Sequence, residues 1–194
     1  MCSSDRAGRV SRKRRTALLI LDWQKLFVDP SSKAFVRGSP EAAPRIGYAA
    51  RFFLDKGLPV IASVHHGEND ARDPFFRFYG RTIGRSDHLC QLGEPVAGIA
   101  GLAVYPKSSY SLFENREFMS DIGKKDISGF CLCGLLADKC VLANAFAAFD
   151  KGFEVFVPED CVAARDESLL SSALSIMGKS CAELVLSTEL ERCL

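Results

Sequence analysis

The chain of 194 residues has no apolar run near the roughly 20 residues that a membrane-spanning helix needs. Its first apolar run, "ALLIL", breaks at once on Asp22 and is too short for the core of a secretory signal. There is no overall excess of one charge: 25 basic residues face 24 acidic ones, for a formal net charge of +1. That balance excludes general attraction to nucleic acid or to a membrane surface. Histidine is scarce. All three lie between positions 65 and 88, so a histidine-based metal centre could be built only from that window. No C-x-x-C, the usual spacing of a redox pair, occurs. These absences point to a soluble, cytoplasmic protein with no membrane contact and no nucleic-acid partner.

What is present fits that reading. A hydrophobic content of 47% supplies a sizeable core without disulfide staples. The eight cysteines lie mostly inside apolar runs, where a free thiol behaves as a small hydrophobe. One local imbalance stands out: "RAGRVSRKRR", Arg6 to Arg15, carries six basic residues and no acid. It reads as a solvated, disordered tail (residues 1–15) ahead of a single domain (16–194), with a targeting segment or a polyanion contact as the sharper alternatives.

From residue 16 onward, strand-like and helix-like segments alternate. Apolar runs at 16–21, 58–64, 101–106, 126–134, 153–157 and 182–188 read as strands. Helical spacing marks 40–57, 139–152 and 167–178, with Gly57 as a C-terminal cap of the first. The stretch 65–100 is polar and shows no clear period. Continuous apolar strands separated by helices predict an α/β fold, a three-layer α/β/α sandwich around a mostly parallel sheet of about six strands. In such sheets ligands bind beyond the carboxyl ends of the strands.

Three reactive residues fall at those ends. Asp22 closes the first strand, Lys107 closes "GLAVYP", and Cys140 lies where "CLCGLLADKC" turns into a helix. Each alone has a bland role: a turn carboxylate, a surface lysine, a packed cysteine. Together they make coherent chemistry. A helix N-terminus favours a thiolate, a carboxylate can take the thiol proton, and a lysine can hold that carboxylate in place. Backbone amides at the helix entrance can donate to the oxyanion formed when the sulfur attacks a carbonyl. Cys131 and Cys133 share one face of a buried strand and read as packing, and their spacing is weak for zinc.

Three motifs carry a family resemblance. "ALLILDWQKLFV", "VYPKSSYSLF" and "CGLLADKCVLANAFAAFDKGFEVFVPEDCVA" resemble, in order, the opening strand, lysine motif and nucleophile motif of the isochorismatase-like cysteine hydrolases, a superfamily that includes nicotinamidases and pyrazinamidases. The resemblance runs from about residue 16 to the C-terminus. It implies Asp22 as general base, Lys107 as its partner and Cys140 as nucleophile. It also implies a non-proline cis peptide at Leu135–Leu136, with the amides of Leu136 and Cys140 aimed at the oxyanion. The implied activity is hydrolysis of a small amide or carbamoyl C–N bond through a thioester, with nicotinamidase-type deamidation first, and the partners are a small amide, water and further copies in a homo-oligomer. Isochorismatase-type cleavage of an enol ether, or a non-catalytic binding protein on the same fold, are the alternatives; Cys140 favours amide chemistry. One departure is Ala137, where the family commonly has threonine.

The chemistry itself requires no cofactor. Nicotinamidases bind Zn, Mn or Fe through an Asp-x-His and a later His-Cys; here "VHHGEND" lacks the first element and "SDHLCQLGE" resembles the second with one residue inserted. A zinc or iron ion on His65, His66 and His88, helped by Asp87 or Glu68, stands against histidines that are loop residues or line a metal-free pocket. The broken first element favours the latter. Trp23, Gln24, Phe27, Tyr110 and Leu136 are the expected pocket walls with the 65–90 region, in which "FFRFY" (75–79) reads as a lid or a subunit contact.

Overall fold

The computed structural model describes residues 15–194; the basic stretch up to Arg14 lies outside the described residues. In chain order the strands are β1 (Thr16–Leu21), β2 (Val60–His65), β3 (Ala103–Lys107), β4 (Gly129–Leu135), β5 (Glu154–Pro158), β6 (Val162–Ala163) and β7 (Glu183–Val185). The helices are α1 (Lys25–Val28), α2 (Ser39–Asp55), α3 (Pro74–Tyr79), α4 (Arg116–Lys124), α5 (Leu142–Asp150) and α6 (Glu167–Ser180). The strands form one sheet in the order β3-β2-β1-β4-β5-β7, with the short β6 paired to the end of β4, and every strand pair is parallel.

Alternation along the central strands explains the layers. Leu19 and Leu21 of β1, with Phe130 and Leu132 of β4, face α4, α5 and α6 through Phe118, Ile122, Ala145, Ala148, Ala173 and Met177. Leu18 and Ile20, with Cys131 and Cys133, face α2 through Ile46, Ala49, Ala50 and Phe53. Both cysteines are fully buried and serve as packing atoms there. A strand covered on both faces has no polar side, which is why β1 and β4 read as unbroken apolar runs.

The strand order reverses between β1 and β4, the switch point where crevices open in doubly wound sheets. Two backbone features shape that point. Gly134 has φ = 105°, and a Cβ on it would stand 2.2 Å from the Leu21 carbonyl oxygen, so only glycine allows β1 and β4 to run this close beneath the site. Asp22 follows β1 directly at φ = 48°, a left-handed conformation that aspartate tolerates better than most residues.

Three expectations change in detail. The helix predicted over 139–152 is two pieces: a wide turn at Ala137–Val141, in which the Val141 N–H donates to the Leu136 carbonyl five residues back, and then α5. The 65–100 region contains α3, whose Asp73 side chain caps it by accepting from the N–H groups of Phe75 and Phe76. Helix α4 was not expected; its apolar face is Phe118, Met119 and Ile122 in a helix of nine residues, too short a stretch to register as a period.

Candidate active site

Lys107 and Asp22 meet at the carboxyl edge of the sheet although β2 lies between their strands. Lys107 Nζ is 2.7 Å from Asp22 Oδ2, and both side chains are 1% exposed. The same ammonium donates to Cys140 Sγ at 3.4 Å and to the Ser109 carbonyl at 3.0 Å. The three residues predicted from strand ends are therefore in one contact network. Burial alone would pull the Lys107 pKa down, but the Asp22 carboxylate and the Cys140 sulfur beside it outweigh that, and the net shift is upward. Lys107 is an ammonium at neutral pH.

Cys140 differs from expectation. It is the fourth residue of the wide turn and does not sit in the first turn of a regular helix. Its pKa is pushed well above the ordinary thiol value, first by burial and then by the Asp22 charge, with Lys107 only partly opposing them. The resting form is the thiol, and the helix-terminus argument for a standing thiolate is outweighed by burial.

Two positioning residues escaped sequence reasoning. Ser63 of β2 donates its hydroxyl to Asp22 Oδ1 at 2.7 Å and accepts from the Asp22 N–H at 3.2 Å, fixing the carboxylate from the strand in between. Asn144 of α5 is fully buried; its amide donates to the carbonyls of Cys140 (2.7 Å) and Tyr110 (3.0 Å) and accepts from the Leu112 N–H (2.8 Å). It ties the Cys140 turn to the loop after Lys107. The only signal for either was a polar residue inside an apolar run.

A cavity of ≈ 1140 Å³ opens above these groups, lined by Asp22, Cys140 and Leu136 at its base and by Phe27 and Tyr110 on its sides. The Leu135–Leu136 peptide is cis, as the resemblance implies. Helix α3, the "FFRFY" stretch, walls the cavity. The Phe75 ring centroid is 4.3 Å from that of His65 and 4.8 Å from that of Tyr110, and the Tyr79 and Tyr110 hydroxyls are 2.8 Å apart. Trp23 and Gln24, expected as walls, are placed elsewhere, because the left-handed turn at Asp22 sends both back into the protein. Trp23 is 1% exposed, packs on the α2 side and donates to the Glu94 carbonyl. Gln24 is fully buried; it accepts from the His65 N–H at 2.8 Å and donates to the carbonyls of His65 and Cys90, each at 2.9 Å. It pins the polar 88–90 segment to β2.

The three histidines do not form the donor set expected for zinc or iron. His65 lines the cavity buried against Phe75, His66 is not among the residues that line it, and His88 lines it from an exposed position beside Asp87, 3.4 Å away. Asp87 Oδ1 accepts from the Leu89 N–H, and Glu68 is exposed. Among the described residues no three His, Cys, Asp or Glu side chains converge as metal ligands. The alternative of a zinc or iron ion on His65, His66 and His88 finds no support in this arrangement.

His65 instead gives the site a pH dependence. Burial, reinforced by the Lys107 charge, lowers its pKa from 6.5 to about 4. Between those values the unfolded chain binds the proton and the folded one does not, so stability is full above pH 6.5 and is lost as pH falls toward 4. We expect His65→Leu to flatten the urea midpoint across that window. An unchanged slope would remove His65 as its source.

The chain is similar to known proteins in sequence and in fold. A family model described as the isochorismatase domain matches residues 16–189. Isochorismatase domain-containing protein 2 of Xenopus laevis is 33% identical over 189 residues, covering 96% of this chain and 78% of that one. Among solved structures, N-carbamoylsarcosine amidase from Thermoplasma acidophilum superposes with a TM-score of 0.80 at 26% identity, over 91% of this chain and 99% of that one. Nicotinamidase PncA from Bacillus subtilis gives 0.81 at 20% identity, over 88% and 99% respectively, a likeness of fold. No helix among the described residues is long and apolar enough to cross a membrane. The chain belongs to the isochorismatase family of hydrolases.

Proposed function

We propose that the protein hydrolyses a small amide or carbamoyl C–N bond through a thioester on Cys140. The observation that carries this reading is the buried Asp22–Lys107–Cys140 contact network, open on one side to the cavity. A resting thiol beside a carboxylate needs a base at the moment of attack. Asp22 takes the proton as Cys140 Sγ bonds to the substrate carbonyl carbon. The carbonyl oxygen becomes an oxyanion, held by the amides of Leu136 and Cys140. The tetrahedral intermediate expels the amine as the protonated Asp22 returns its proton to the leaving nitrogen. Water, deprotonated by Asp22, then adds to the thioester and releases the acid and the free thiol. Lys107 keeps Asp22 in place and its charge balanced through both half-reactions.

The amidase likeness at 26% identity supports a C–N bond as the target. The test is ammonia release from a panel of nicotinamide, pyrazinamide, N-carbamoyl amino acids and other ureides. Intact-mass analysis after a rapid acid quench accompanies it. We expect turnover of at least one panel member and an acyl adduct mapping to Cys140. Turnover with the adduct absent, and undiminished by Cys140→Ala, would sink the thioester reading.

A further inference from the structure

His65 is held firmly yet has nothing to hold. Gln24 grips its backbone at both ends, accepting from the His65 N–H at 2.8 Å and donating to the His65 carbonyl at 2.9 Å. The ring packs on Phe75, with centroids 4.3 Å apart. The residue is 8% exposed and lines the cavity. A polar side chain this deeply buried ordinarily has a hydrogen-bond partner. Nδ1 has none among the described residues and is closed off from solvent. Five other side chains have such an atom, and each differs from His65. Asp22 faces the Lys107 ammonium, Thr82 is only partly buried, and Ser39, His66 and Asp138 do not line the cavity. Nε2 of His65 is not closed off in this way and is the nitrogen left to meet what fills the cavity.

The place of His65 on β2 sets what it meets. Alternate residues of a strand share a face, so His65 stands on the side from which Ser63 holds Asp22, one step nearer the cavity. Across the ladder it is in register with Lys107. A ligand seated over the trio is therefore beside this ring. Burial keeps the imidazole neutral at pH 7. A neutral imidazole carries one proton, and its surroundings decide which nitrogen holds it. A buried N–H without an acceptor is rarer than an unmatched lone pair. With Nδ1 sealed and unpartnered, the proton belongs on Nε2. The ring then presents a single uncharged donor to the cavity.

We propose that His65 is a specificity-determining residue whose Nε2–H donates to an uncharged acceptor, a ring nitrogen or a carbonyl oxygen, that the substrate carries beside its scissile C–N bond. This rests on the reading of the cavity as an amidohydrolase site, and it names a feature of the substrate. The inference concerns recognition, so it can be tested without turnover. In the Cys140→Ala protein, calorimetry would compare amides that differ by one acceptor. Picolinamide, nicotinamide and isonicotinamide are set against benzamide, and acetoacetamide against butanamide. The same series is run with His65→Leu added. Nitrogen-15 NMR of the histidine rings, with the His65→Leu spectrum as the assignment, reads the tautomer directly.

The expected result is that at least one acceptor amide binds about fivefold or more tightly than its carbon analogue, which leaves the buried Nε2–H unpaired. With His65→Leu that ratio should fall to about 1, through a loss of about 3- to 10-fold for the acceptor amide and none for its analogue. The free protein should carry the His65 proton on Nε2. A preference that survives in His65→Leu, no preference in any pair, no binding of any acceptor amide at about 10 mM, or a proton on Nδ1 would each overturn the proposal. Gln24 holds backbone atoms of residue 65, which the substitution leaves in place, and a urea midpoint checks that the variant folds. A preference that depends on His65 in a protein that hydrolyses nothing would leave this inference standing while the thioester reading falls. Equal turnover of both members of every pair through Cys140, unchanged by His65→Leu, would do the reverse.

Discussion

Cys140→Ala is expected to lower turnover of any amide substrate by about 10⁴-fold or more, the scale seen when a covalent nucleophile is removed. Its urea midpoint should hardly move. The sulfur's polar contacts are the 3.4 Å hydrogen bond from Lys107 and one with the Asp22 carboxylate, and those two groups keep each other, and Lys107 keeps the Ser109 oxygen, without it. Binding should survive, because the cavity walls are untouched. Cys140→Ser should fall between wild type and alanine, since the hydroxyl can occupy the same place but is a weaker nucleophile with a proton harder to remove.

The pH behaviour of the thiol sharpens this expectation. Because burial and Asp22 raise the Cys140 pKa, the resting enzyme holds little thiolate at neutral pH. Alkylation of Cys140 by iodoacetamide should therefore rise steadily above pH 8 with no plateau near neutrality, while turnover already operates at pH 7. The separation follows from the mechanism: the substrate triggers proton transfer to Asp22, and iodoacetamide must wait for the rare thiolate. A labelling curve that levels off below pH 7 would instead mean a standing thiolate and a different role for Asp22.

The trio was legible in the sequence because buried parallel strands are continuous apolar runs, and the first polar residue past each run must lie at the sheet edge. Asp22 and Lys107 are such residues. Ser63 was not, because a single serine within "VIASVHH" looks like tolerated packing until β2 is seen to lie between β1 and β3. Asn144 was hidden in the same way inside an apolar helix. Trp23 and Gln24 are expected as cavity walls in the sequence, but the positive φ at Asp22, which no local pattern announces, turns both back into the protein. Residues 65–100 stayed opaque because their order comes from side chain to backbone bonds, such as Gln24 to His65 and Asp73 to α3, which leave no period.

Lys107→Met is expected to destabilise the protein by about 3–5 kcal/mol, the usual consequence of stripping one partner from a buried ion pair. The Asp22 carboxylate would remain 1% exposed with Ser63 as its hydroxyl partner and no positive charge beside it. Without the ammonium that holds and balances it, the carboxylate is no longer placed as a base, so turnover should fall by about 10³-fold or more. Asp22→Asn approaches the same pair from the other side. The amide can keep the Ser63 contact but leaves the Lys107 ammonium buried without a counter-charge, and burial then pulls its pKa down. With a folded value below the unfolded one, the stability of this variant should rise with pH up to the ordinary lysine range. The double variant Asp22→Asn/Lys107→Met decides what the pair is for. With neither charge present, most of the lost stability should return, since a buried pair contributes little beyond a neutral replacement of similar volume. Activity should stay absent. Recovered folding with no turnover would mean that the pair is retained for its chemistry. If the double variant is as unstable as the sum of the two single ones, the two charges do not compensate each other, and Lys107 cannot be the group that balances Asp22 during catalysis.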